Sequence, residues 1–198
     1  MYKRQSDVVL AANAQWPFVL GAWTELFGRN PVEHTEVLRM GLMPASSGRQ
    51  MIGDALPHPL SVAQALAPWI EQARDISIEG EGSPEEPLVI RTDLEGDGPK
   101  LRLEVVLEGT LEAAPRGAWL EIDGDRADRC IRTRDYGLFL RSGAKLVDLP
   151  DPLTARVEAF AGEALSRRPR PQPDRILSRR ARLLSSIDAT FGSNDGTT

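Results

Sequence analysis

The sequence predicts an α+β fold: a mostly antiparallel open sheet of about six or seven strands, with helices packed on one face. Three observations carry that reading. Apolar residues recur at helical spacing over about 58–72, alternate with polar ones from there through residue 149, and return to helical spacing after Asp151. The alternating segments follow one another with only turn-forming clusters between them, which joins them as antiparallel neighbours. The regular strand–helix alternation of a parallel nucleotide-binding sheet is missing, as are its Gly-x-Gly-x-x-Gly turn and a P-loop.

The elements follow in order. "DVVLAANAQW" (7–16) opens on β-branched apolar residues and reads as a buried strand. Pro17 then starts a helix in which Phe18, Ala22, Trp23 and Leu26 share a stripe, and Gly28 stops it. "EHTEVLRMGL" (33–42) reads as a strand and "PASSGRQ" (44–50) as a loop. From Pro59, Leu60, Ala63, Ala67 and Ile70 lie on one stripe, giving a helix over about 58–72. "DISIEGE", "PLVIRTDL", "KLRLEVVLEG", "GAWLEIDGD", "DRCIRTR", "GLFLRSG" and "KLVDL" then form a meander. One face of such a sheet is buried and the other stays wet or meets a partner. "DPLTARVEAFAGEALS" is a helix capped by Asp151, with Leu153, Val157, Phe160 and Ala164 on one stripe. "RRPRPQP" is a stiff polar linker, a last helix spans about 173–191, and the tail 192–198 reads as disordered.

Composition narrows the function. The chain has 198 residues, 41% of them apolar, which suits one domain (6–166) with an appended linker and helix (167–191). No apolar run is long enough for a membrane span, and one cysteine, Cys130, excludes an internal disulfide, so a reducing cytoplasm fits best. Residues 1–166 carry −9 and residues 167–198 carry +4 of the net −5. An acidic body with a short arginine-rich tail is no nucleic-acid surface, and the tail arginines lack interleaved aromatics, so they read as a solvated face. The first five residues, Met-Tyr-Lys-Arg-Gln, are what a transposon mosaic-end sequencing tag encodes when read from a GTG start. They read as a scar, which makes the chain an N-terminally truncated fragment.

The chemical candidates centre on "GDALPHPLS" (53–61). Asp54 and His58 stand four residues apart, and Pro57 and Pro59 hold the imidazole in place. With the helix starting at His58 or Pro59, Asp54 lies on the preceding strand or turn, and both side chains can address one spot. A neutral imidazole can take a hydroxyl proton while the carboxylate orients the ring or holds substrate; the plainer alternative makes His58 a helix cap. Asn13, Gln15 and Trp16 end the first strand, where they line a pocket mouth or supply a cap and a core indole. Arg49 can bind an anionic group or lie on the surface. His34 reads as structural or exposed, and no third ligand joins the two histidines into a metal site.

Three segments together resemble the C-terminal domain of the glucose–fructose oxidoreductase / inositol dehydrogenase (Gfo/Idh/MocA) family. "VVLAANAQWPFVLGAW" is similar to the strand and helix that follow the family's nucleotide domain. "GDALPHPLSVAQAL" stands where the family has an Asp-x-Gly-x-His segment at a helix start, and the meander ending in "DPLTARVEAFAGEAL" resembles its closing strand and helix. Leu56 stands in place of that glycine, and Ser61 in place of a second aspartate that many members carry. The resemblance, over about residues 7–190, implies an enzyme half. Its N-terminal Rossmann domain would hold NAD or NADP, and this domain would form the sugar or polyol pocket, with the sheet used for homo-oligomerisation. It implies that His58 takes the hydroxyl proton as hydride leaves, beside Asp54; the family's Glu-Lys-Pro lysine has no counterpart here. The competing expectation is a non-catalytic α+β scaffold that self-associates through its wet sheet face.

Overall fold

The computed structural model describes residues 15–32, 34–109, 117–166 and 173–194, in an order of mixed helix and strand, then sheet, then helix. The strand expected at 7–16 lies outside the described residues up to position 14. Trp16–Phe18 form a single 3-10 turn that runs into α1 (Val19–Phe27). Gly28 ends α1 in the left-handed region, at φ 73°, where a Cβ would be strained. Val19, Leu20, Ala22, Trp23 and Leu26 are its buried face.

Eight strands form one sheet: β1 (Val37–Leu42), β2 (Ile70–Glu79), β3 (Leu88–Gly96), β4 (Leu101–Leu107), β5 (Ala118–Ile122), β6 (Asp125–Ile131), β7 (Leu138–Ser142) and β8 (Lys145–Leu149). The spatial order is β2-β3-β4-β1-β5-β6-β7-β8. All seven alternating segments of the meander are strands, so the count exceeds the expected six or seven by the inserted β1. That strand runs parallel to β4 and antiparallel to β5, splitting the meander in two. Asp123 and Gly124, at φ 50° and 90°, make the tight β5–β6 turn, and the Asp123 carboxylate accepts the Val37 N–H at 2.8 Å to pin the start of β1.

The pleat sorts the residues cleanly. Leu38, Met40, Leu88, Ile90, Leu94, Leu103, Val105, Leu120, Ile122, Ala127 and Leu140 point to one face and are buried. On the other face lie cross-strand ion pairs such as Arg91–Glu104, Arg39–Glu121, Lys100–Asp93 and Arg141–Asp128. α1 packs against β7 and β8 at one end of the sheet, and the helices near the C-terminus of the chain and the middle of the sequence pack toward β2 and β4 at the other.

Two elements differ from expectation. The segment read as a loop ending at residue 50 opens a short helix, α2 (Gln50–Ala55), because Met51, Ile52, Ala55 and Leu56 are drawn into the core. The next helix, α3 (Pro57–Leu66), ends well before residue 72. Pro68 pushes Ala67 out of helical geometry, to φ −134° and ψ 77°, and Ile70 already begins β2. Asp151 caps α4 (Pro152–Ser166) by accepting the N–H of Leu153 and Thr154 at 3.2 Å each. The predicted stripe of α4 stays bare: Leu153, Val157 and Phe160 are exposed, and the helix meets chiefly the 3-10 turn. The final helix, α5 (Pro173–Asn194), runs on beyond residue 191 and packs against β2, α3 and α2, burying Leu183 and Ile187 in the common core.

Candidate functional site

The site begins with a proline-broken helix. Leu56 closes α2 and opens α3 with helical angles, φ −60° and ψ −28°, so the chain passes from one to the other almost without a turn. Pro57 and Pro59 have no N–H to give to the carbonyls one turn back, which is why two helices stand where one could run. Asp54 is therefore on a helix, not on a strand or turn as its sequence context implied. Because the helical path is nearly continuous, positions 54 and 58 fall one turn apart on the same face. Ser61 is buried and donates its hydroxyl to the His58 carbonyl at 2.6 Å, tying the start of α3.

Both side chains line a cleft of about 280 Å³ at the end of the sheet. Its other walls are Trp16, the β1 exit from Leu42 to Ala45, the β5 entry at Gly117 and Ala118, and Arg129 of β6. Trp16 is buried and sits between the two polar groups that matter. Its ring centroid is 6.4 Å from that of His58, and the Arg129 guanidinium lies 5.1 Å over the indole. A larger open groove, about 720 Å³, runs between β2 and α5; charged and polar side chains such as Glu71, Gln72, Asp97 and Arg182 line it, with no histidine, cysteine or aromatic among them.

Electrostatics define what the cleft can do. The His58 ring keeps an open edge, yet the protein around it lowers its pKa below the ordinary 6.5, first by desolvation, then by the charges of Arg129 and Arg180. The imidazole is thus neutral at pH 7 and free to accept a proton. Burial also lowers the pKa of Arg129 and Arg180. Gln64, buried on α3, accepts from the Arg180 side chain at 2.8 Å and donates to the Ile176 carbonyl at 3.0 Å, fixing α5 beside the site. Among the described residues no carboxylate pairs with Arg129. The Trp16 face is the one partner shown for the half-buried guanidinium among the described residues, and a cation–π contact is worth about 0.5–2 kcal/mol.

The structure brings together three of the expected site residues: Asp54, His58 and Trp16. No hydrogen bond joins Asp54 to His58; they share a wall rather than a proton. Trp16 is at once a core indole and a cleft wall. Arg49 does not line this cleft: with Asp54 it borders a second groove, about 600 Å³, between α2 and α5, where its guanidinium forks onto Asp188 of α5 at 2.8 and 2.7 Å. Asn13 lies outside the described residues. His34 is exposed ahead of β1, and among the described residues no group of histidine, cysteine and carboxylate side chains could hold a metal. Arg129 escaped the sequence reading. The signal was present in the alternation of β6, where Ala127, Arg129 and Ile131 share the inward register and one of the three is charged.

A nicotinamide cofactor finds no cradle in these residues. Among the described residues the one parallel strand pair, β1 and β4, has no glycine-rich turn leading into a helix, which is what a dinucleotide's phosphates need. The fold is instead similar to the α+β part of solved Gfo/Idh/MocA-type oxidoreductases. A Gfo/Idh/MocA family oxidoreductase from Vibrio cholerae is similar over 91% of this chain and 61% of its own, at 12% identity and a TM-score of 0.53. KijD10, a 3-ketoreductase from Actinomadura kijaniata solved as a variant with TDP-benzene and NADP, is similar over 94% and 62%, at 13% identity and 0.53. UDP-N-acetylglucosamine 3-dehydrogenase GnnA from Acidithiobacillus ferrooxidans is similar over 89% and 59%, at 15% identity and 0.51. At such identities the likeness is one of fold, and the chain spans about three fifths of each of these structures. No family model matches the sequence, and no curated protein matches it. Among the described residues no helix is long and apolar enough to cross a membrane.

Proposed function

We propose that this chain is the substrate-binding and oligomerisation domain of an NAD(P)-dependent oxidoreductase acting on a sugar-like or polyol hydroxyl, with the nucleotide held by a domain outside the chain. The observation that carries the reading is His58: a histidine kept neutral, held between prolines at a helix junction, one turn from Asp54 and open to a cleft. Alcohol oxidation releases a hydride and a proton, and the nicotinamide supplies the hydride chemistry. What this chain supplies is the rest. His58 accepts the hydroxyl proton, the exposed Asp54 carboxylate accepts a hydrogen bond from a neighbouring hydroxyl, and the Trp16 indole gives the ring a flat apolar wall.

Two further features support the reading. A 3-ketoreductase solved with NADP and a UDP-N-acetylglucosamine 3-dehydrogenase share the fold, which favours a sugar-type hydroxyl and a nicotinamide partner. The bare apolar stripe of α4, close to the Trp16 turn, offers a surface for a neighbouring domain to cover. Self-association through the open sheet face completes the proposal. That the Asp54 and His58 side chains make no hydrogen bond to each other favours the competing scaffold reading, in which the cleft is idle. Turnover decides between them. Joined to a nucleotide-binding half recovered from upstream coding sequence, the protein should oxidise polyols with NAD(P), and His58→Gln should slow it about 10²- to 10⁴-fold. An unchanged rate would remove the proposed role.

A further inference from the structure

The arginines of the two sheet faces are treated oppositely. On the open face Arg39, Arg91, Arg102, Arg126 and Arg141, all well exposed, each sit within 4 Å of an aspartate or glutamate. Water would have satisfied them unaided. Arg129, on the covered face and half-buried, has only the Trp16 indole beneath it and no carboxylate among the described residues. The next cation, Arg180, is held by the neutral Gln64 and gives it no counter-charge. Arg129 lines the same cleft as His58.

We propose that Arg129 is an anion-recognition residue and that the substrate carries an oxyanion, a carboxylate or a phosphate, on its sugar-like frame. This rests on the sugar-type reading of the cleft. A guanidinium offers parallel N–H donors matched to two oxygens of either group, and stacking on Trp16 fixes its plane beforehand. Binding the oxyanion there would cancel the charge that now goes unmatched and would anchor the substrate beside the His58 ring. The rim carboxylate of Asp54 is left for a hydroxyl, so the cleft distinguishes the two ends of an acidic sugar.

Calorimetric titration of the 198-residue chain with glucuronate, glucose 6-phosphate, glucose and inorganic phosphate, at constant ionic strength, tests this. One acidic sugar should bind about 10- to 100-fold more tightly than glucose, and which one does so identifies the oxyanion. Arg129→Met, which keeps the stem on Trp16, should reduce that affinity to the level of glucose, and Arg129→Lys should restore it only in part. Equal binding of all three sugars by the unaltered chain overturns the proposal and leaves the sugar-type reading standing. Tight acidic-sugar binding that Arg129→Met does not weaken also overturns it. Inorganic phosphate binding as tightly as glucose 6-phosphate, and lost in Arg129→Met, upholds the anion site and overturns the sugar-type reading. Failure of every ligand to bind overturns both.

Discussion

His58 is where sequence, burial and charge meet. Its lowered pKa comes from desolvation first and from Arg129 and Arg180 second, and this has a signed consequence for stability. Between the folded-state value and the ordinary 6.5, the unfolded chain binds more protons at this position than the folded one. Stability linked to His58 is therefore complete above 6.5 and falls as pH drops through that window. Urea midpoints measured from pH 7.5 to 5 should decline, and His58→Gln should flatten the part of the decline that lies below 6.5. An identical pH slope in both proteins would mean the ring is solvated like a free one. At this scale the sequence was informative about His58 and Trp16, whose rarity and flanking prolines single them out. For Arg129 the β6 alternation placed it on the inward face with Ala127 and Ile131, but an inward strand arginine does not say from sequence what it faces there.

Elements were legible wherever local pattern and tertiary packing agreed. Each alternating segment from Ile76 to Leu149 became a strand because one pleat face is continuously apolar. The insertion of β1 was harder to see. Residues 108–117 between β4 and β5 are too many for a tight hairpin, and a connection of that length can span an intervening strand, but nothing in its composition says which strand. α2 was missed because Gly48, Gly53 and Pro57 punctuate it like a loop, while its helical state is set by burial of Met51 and Ile52. Gly41 shows how closely β1 and β5 are matched. A Cβ there would stand 1.9 Å from the Trp119 indole nitrogen, and that indole is covered by Arg126 at 4.2 Å. Gly41→Ala should destabilise the protein by about 1–3 kcal/mol through displacement of Trp119, read from the urea midpoint and from a red shift in tryptophan emission. A midpoint unchanged from the parent would show that the indole can move aside freely.

For the whole molecule, α5 is part of how the core closes: Leu183 and Ile187 are fully buried in the same cluster as Ile70 and Leu60. Arg49–Asp188 and Arg180–Gln64 fasten the helix on either side of the site. Leu183→Ala should cost about 2–5 kcal/mol and preserve a single cooperative transition, since the residue belongs to the shared core. Loss of helical signal ahead of the sheet would make α5 a separate unit. The Trp16–His58–Arg129 cleft is where the proposal seats the substrate. The chain holds two histidines, His34 exposed before β1 and His58 in the cleft, so imidazole signals resolved by NMR report on the site with an internal control. Addition of a bound sugar, sugar acid or sugar phosphate should shift the His58 resonances and leave those of His34 in place. Saturating ligand binding that leaves His58 unmoved would contradict the account.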